Sequence, residues 1–175
     1  VKSVCLAISI LASTACATLP DSYPPTAQRE PALLEDAPRT ARILLRMIEP
    51  ETGASIVRDI PLEVSGPWRW TGKRPTVRIY LTSIEGLKAV VEYSVAEATL
   101  KQTGPVTFQF FVNGHLLGVE KQDKPGNYRF EKAAPATMLE PNAANELAVE
   151  VDKPFVAPED GAKLGFILTT IGFTL

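Results

Sequence analysis

Val106-Thr107-Phe108-Gln109-Phe110-Phe111-Val112-Asn113-Gly114 carries apolar side chains at 106, 108, 110 and 112, polar ones at 107 and 109, and ends in Asn-Gly. Side chains two apart lie on the same face of a strand, so this stretch predicts a strand with one face in a core. Asn-Gly supplies two neighbours that tolerate positive φ, as a two-residue hairpin turn demands. The same period recurs on both sides of it. Val77, Ile79 and Leu81 alternate with Arg78 and Tyr80; Leu87, Ala89, Val91, Tyr93 and Val95 alternate with Lys88, Glu92 and Ser94. Leu147, Val149 and Val151 alternate with Ala148 and Glu150. Turn chemistry falls between the runs, at Thr103-Gly104-Pro105 and Lys124-Pro125-Gly126-Asn127.

Strands are therefore expected near 41–49, 55–63, 75–82, 87–100, 105–113, 115–121, 127–132, 145–152 and 164–174. Helix is expected to be scarce: the one candidate, Ala134 to Asn145, is shortened by Pro135 and Pro141. The closing run Leu164 to Leu175 is apolar on both faces, which predicts a strand covered on both sides. Short antiparallel strands at this spacing make residues 41–175 an all-β domain, an antiparallel β-sandwich of jelly-roll type with about eight to nine strands.

The residues before it read differently. Lys2 is followed by the apolar run Val4 to Ala12 and the small residues Ser13-Thr14-Ala15, ahead of Cys16. Basic start, apolar core and small-residue cleavage site are the order of a signal peptide, here residues 1–16. The apolar core is shorter than the ~20 residues that span a bilayer. From 17 to 40, Pro20, Pro24, Pro25, Pro31 and Pro38 interrupt any period and bias the backbone to extended forms, so this segment is expected to be a tether. Cys5 and Cys16 are the two cysteines, so the domain itself has no disulfide and no cysteine zinc site. With a formal net charge of -2, the chain offers no electrostatic footprint for nucleic acid.

Two stretches carry resemblances. Leu11-Ala12-Ser13-Thr14-Ala15-Cys16 resembles the lipobox of bacterial lipoproteins, which implies a lipid on Cys16 and anchoring in the cell envelope. It departs from that motif in having Ser13 where leucine is usual, and ordinary cleavage at Ala15 or Ala17 is the other reading. Phe108 to Gly118, then Asn127-Tyr128-Arg129-Phe130, then Asn145-Glu146-Leu147-Ala148-Val149-Glu150-Val151 are similar in order and spacing to galactose-binding-like jelly rolls. Such domains accompany many glycoside hydrolases without being catalytic. The acidic loop before Leu164-Gly165 is similar to the close of small β-domains beside bacterial sugar-modifying enzymes. These resemblances imply a fold and leave the ligand open.

Few residues offer chemistry. Trp68-Arg69-Trp70, set between Gly66-Pro67 and Thr71-Gly72, is the most suggestive cluster. On a strand the two indoles share a face with Arg69 opposite, either as an aromatic platform for a sugar ring or as packed core. His115 is the single histidine, so a transition-metal site is not expected; it is either a turn residue or a ligand contact. Asp152, Glu159 and Asp160 flank the final loop, and a solvated acidic loop explains them better than calcium ligation. No nucleophile–base pair or phosphate-cradling glycine loop is recognisable, and no cofactor is expected. The expected function is a non-catalytic, envelope-anchored sandwich binding a glycan or another envelope component through Trp68, Arg69, Trp70 and His115. The alternative is a protein-interaction or assembly subunit of an envelope complex.

Overall fold

A computed structural model describes residues 42–64 and 66–175. The expected signal peptide (1–16), Cys16 and the expected tether (17–40) lie outside the described residues. Twelve strands run in chain order: β1 (Leu44–Arg46), β2 (Ile56–Arg58), β3 (Arg69–Trp70), β4 (Thr76–Leu81), β5 (Lys88–Val95), β6 (Val106–Val112), β7 (His115–Gln122), β8 (Gly126–Ala133), β9 (Ala143–Val151), β10 (Phe155–Val156), β11 (Lys163–Leu164) and β12 (Ile167–Thr174). Among the described residues one short α-helix, α1 (Glu97–Thr103), joins β5 to β6.

Ten of the strands form two facing antiparallel sheets, and β10 and β11 pair as a separate two-stranded ribbon. The first has the order β1-β12-β5-β8, with β3 also pairing with β12; the second has the order β2-β4-β9-β6-β7. The chain crosses from one sheet to the other between successive long strands except at the β6–β7 hairpin, which stays in the second sheet, and β12 returns to pair with the first strand, β1. That wrapping is the jelly-roll arrangement of two Greek keys. The β6–β7 hairpin turns as its sequence requires, with φ of 47° at Asn113 and 81° at Gly114.

Alternation on the paired strands builds the core. Tyr93, Val91 and Ala89 of β5 face Phe108 and Phe110 of β6, with Leu168, Ile171 and Phe173 of β12 beside them, all buried. The Phe110 and Phe130 rings stack at 3.7 Å between centroids, joining the two sheets. Gly118 sits opposite Phe110 on β7, and a Cβ there would lie 2.8 Å from the Phe130 ring. Glycine at 118 thus leaves the space that this stack fills.

The sequence expectation of a strand to residue 100 is corrected. The chain leaves β5 at Val95 and enters α1, because Ala96-Glu97-Ala98-Thr99-Leu100-Lys101 breaks the alternation with residues that favour helix. Glu97 and Lys101 pair at 2.8 Å across one turn, and Gly104, with φ of 69°, closes the helix. The closing run is also divided. Lys163–Leu164 pairs with β10, and β12 begins only at Ile167. From Thr170 to Phe173, β12 is buried on both faces, flanked by β5 and β1.

Tyr93 adds a pH dependence. Its hydroxyl donates to Glu120 Oε2 at 2.8 Å and accepts from Gln122 at 3.0 Å. Burial foremost, and then the Glu120 carboxylate, push its pKa far above the ordinary tyrosine value. The neutral form is favoured in the fold, so its contribution is complete below pH ~10 and is lost as pH rises beyond it. Stability is expected to fall by about 1.4 kcal/mol per pH unit above ~10 from this group. Urea denaturation from pH 9 to 11 should show a shallower decline in Tyr93→Phe than in the parent; equal slopes would refute the assignment.

Candidate functional site

Gly66-Pro67 delivers the chain to β3, and β3 adds only two residues to the edge of the first sheet. Trp70 pairs with Ile167, and Arg69 pairs with Leu168. Leu168 points into the core, so alternation sends Arg69 inward and Trp68 and Trp70 outward. Trp68 is 37% exposed, and Trp70 is half-buried. Their ring centroids lie 6.4 Å apart with the planes at 86°. The pair is therefore a right-angled corner, where the sequence suggested one flat platform.

Arg69 is corrected as a ligand contact. It is 2% exposed, and its guanidinium donates to backbone carbonyls: Nε to Met47 at 3.0 Å, one terminal nitrogen to Pro61 at 2.8 Å, the other to Glu49 at 3.5 Å. Burial lowers its pKa from the ordinary arginine value. The residue ties the irregular chain between β1 and β3 to the sheet. Its fork of donors meets diverging carbonyls that one ammonium group cannot reach together. Thr71 fastens the next position, its hydroxyl donating to the Phe166 carbonyl and accepting from the Phe166 amide.

His115 is exposed, but the structure does not bring it to the tryptophans. It pairs with Val112 at the hairpin end of β6, whereas Trp70 shares a row with Ser94 near the end of β5 where α1 departs. α1 leads straight into the start of β6, so the length of β6, ~20 Å, separates the two places. His115 is thereby removed from a shared site with Trp68 and Trp70.

The asparagines of the resembling motif have a structural task. Asn145 is fully buried; its Oδ1 accepts from the Glu140 amide and Asn113 Nδ2, both at 2.8 Å. Its Nδ2 donates to the carbonyls of Glu140 and Ala143. Asn113 completes the clasp, donating to Met138 and accepting from the Glu146 amide at 2.7 Å. The two side chains lock the β6–β7 turn to the loop before β9.

Two of the acidic residues are likewise engaged with backbone. Asp152 accepts from the Thr107 amide, a long-range bond between the end of β9 and the start of β6, and Asp160 accepts from the Ala162 amide within a local turn. Among the described residues no three His, Cys, Asp or Glu side chains cluster as metal ligands would.

Residues not singled out in the sequence line an open depression of about 380 Å³ on the first sheet: Glu92, Ser94, Asn127, Arg129 and Thr169. Their signal was the outward polar set on the β5 and β8 stretches; what the sequence lacks is the knowledge that these strands are neighbours.

No protein-family model matches the chain, and no curated protein sequence matches it. Among solved structures, part of the chain is similar to part of dimeric latent PorU from Porphyromonas gingivalis, at 15% identity and a TM-score of 0.41, over 58% of this chain and 10% of that one. Another match is the GH31 alpha-xylosidase from Xanthomonas citri, at 15% identity and a TM-score of 0.26, over 61% of this chain and 11% of that one. The chain thus spans about a tenth of the length of each.

Proposed function

We propose that this chain is a non-catalytic, exported β-sandwich that binds a glycan of the cell envelope on the corner made by Trp68 and Trp70. One observation carries the reading: two indoles stand at right angles on an outward sheet face, with one of them 37% exposed. Indole faces stack on the C–H faces of sugar rings, and a corner holds a ring against two walls at once. Trp68 and Trp70 are the two tryptophans of the sequence, so intrinsic fluorescence reports this place alone. A glycan array should return binding, and titration with the glycans that bind should shift the emission. Trp68→Ala and Trp70→Ala should each weaken binding about 10-fold or more, ~1.4 kcal/mol. Unchanged affinity in both variants would sink the reading.

The lipid anchor belongs to the same proposal and rests on the Leu11 to Cys16 stretch. In a bacterial host, fatty-acid labelling of the parent and its absence in Cys16→Ala is the expected pair of results. An unlabelled parent would leave a secreted or periplasmic binder.

A second reading, docking of an envelope protein, is favoured by a separate observation. Ile48 and Leu62 are well exposed, and the hydrogen bonds from Arg69 to Met47 and Pro61 hold their neighbours near β3. Recovery of a partner that Leu62→Ser releases, with no sugar-dependent emission shift, would support docking over glycan binding.

A further inference from the structure

Trp70 faces Ile167 in the β3–β12 ladder, Ile167 faces Ser94 in the β12–β5 ladder, and Ser94 faces Asn127 in the β5–β8 ladder. Cross-strand partners point to the same side of a sheet, so these four residues form one row on the outer face. The next outward pair is Glu92 with Arg129. A bulge between Leu168 and Thr170 presents Thr169 to the same place, where its hydroxyl donates to the Glu92 carbonyl at 2.9 Å. The tryptophan corner and the polar depression are thus two ends of a single surface.

Its electrostatics select among ligands. Arg129 bonds to both Glu92 and Glu131, and Lys88 reaches Glu131 at 3.4 Å. Two cations and two carboxylates neutralise one another. The Arg129 and Lys88 partners hold Glu131 ionised below the usual carboxylate range. What is left for a ligand is hydroxyl-type hydrogen bonding. Ser94 donates to Asn127 Oδ1 at 2.5 Å, which orients the amide, and Asn127 Nδ2 donates to no other described residue. Amide donors beside carboxylate acceptors match adjacent hydroxyls of a neutral sugar, whereas Arg129 and Lys88 are already paired with Glu92 and Glu131 and are not free to attract a phosphate or uronate.

The span sets the ligand's length. Three interstrand steps separate Trp70 from Asn127, ~14 Å at the usual strand spacing, more than one pyranose ring can bridge. We infer that the outer face of this sheet binds a neutral, linear oligosaccharide laid across the strands, stacked on Trp68 and Trp70 at one end and hydrogen-bonded by Asn127, Ser94 and Glu92 at the other. The inference rests on the glycan-binding reading and names its ligand class and a second subsite.

Linear glucose, xylose and N-acetylglucosamine oligomers of one to six units, each titrated against tryptophan emission, test it on the full chain. For a sugar that binds, affinity should rise at least 10-fold from the disaccharide to the tetrasaccharide. Asn127→Ala and Ser94→Ala should remove that gain while leaving monosaccharide affinity and the unfolding midpoint unchanged. Equal affinity for short and long oligomers, or a length gain that survives both substitutions, overturns the second subsite and leaves the tryptophan reading intact. Tighter binding of glucuronate oligomers than of their neutral counterparts would overturn the neutral class. No emission change with any of these sugars or array glycans defeats the tryptophan reading, and the second subsite with it.

Discussion

Asn145→Ala is expected to destabilise the domain by ~3–4 kcal/mol, because several buried partners are orphaned at once. The side chain is fully buried and makes four hydrogen bonds: it accepts from the Glu140 amide and from Asn113, and donates to the carbonyls of Glu140 and Ala143. Alanine supplies none of these, and a network this connected fails as a unit. Denaturation midpoints in urea, at constant m-value, are the measurement. Asn113→Ala removes the other half of the clasp and should couple strongly to Asn145→Ala in a double-mutant cycle. Additive effects of the two substitutions would show that the asparagines act separately and would refute the clasp.

Arg69→Met is expected to cost about 3 kcal/mol and to loosen the chain that precedes β3. Methionine refills much of the volume and removes the penalty of a desolvated charge, a change that is sometimes neutral when a whole buried network is replaced. Here only the donor goes: the carbonyls of Met47, Pro61 and Glu49 remain where they are, and the Met47 bond is buried. Arg69→Lys should recover little, since one ammonium reaches one of these carbonyls at a time. Limited proteolysis should cut Arg69→Met between residues 48 and 66 at concentrations that spare the parent. Parental stability together with lost sugar binding would reinstate Arg69 as a surface contact.

Both predictions concern residues whose importance the sequence announced and whose task it hid. Asn113-Gly114 and the Asn before Leu147 are visible as motif letters because turn chemistry is local. That the two side chains bond to each other across 32 positions is a tertiary fact. Arg69 lay between two tryptophans and looked like their companion, and alternation correctly put it on the opposite face. Whether that face was solvent or core depended on which edge β3 would join. His115 and Trp70 looked like contributors to one site until the registers placed them in different sheets and at opposite ends of the sandwich.

By itself the sequence determined where the long strands lie, the β6–β7 hairpin, the scarcity of helix and the sandwich class, since each follows from side-chain period and turn residues within a few positions; it missed α1 and the short strands β3 and β10. It also singled out Trp68 and Trp70. Tertiary structure decided what no local pattern encodes: strand order, and hence which outward residues become neighbours. β5 and β8 are separated in the chain by α1, β6 and β7 but adjacent in the sheet. That adjacency sets Ser94 beside Asn127 and Glu92 beside Arg129, and the pairing of β3 with β12 sets the tryptophans in the same row. Local period orients each side chain, but only long-range hydrogen-bonded pairing brings separate side chains together into a surface.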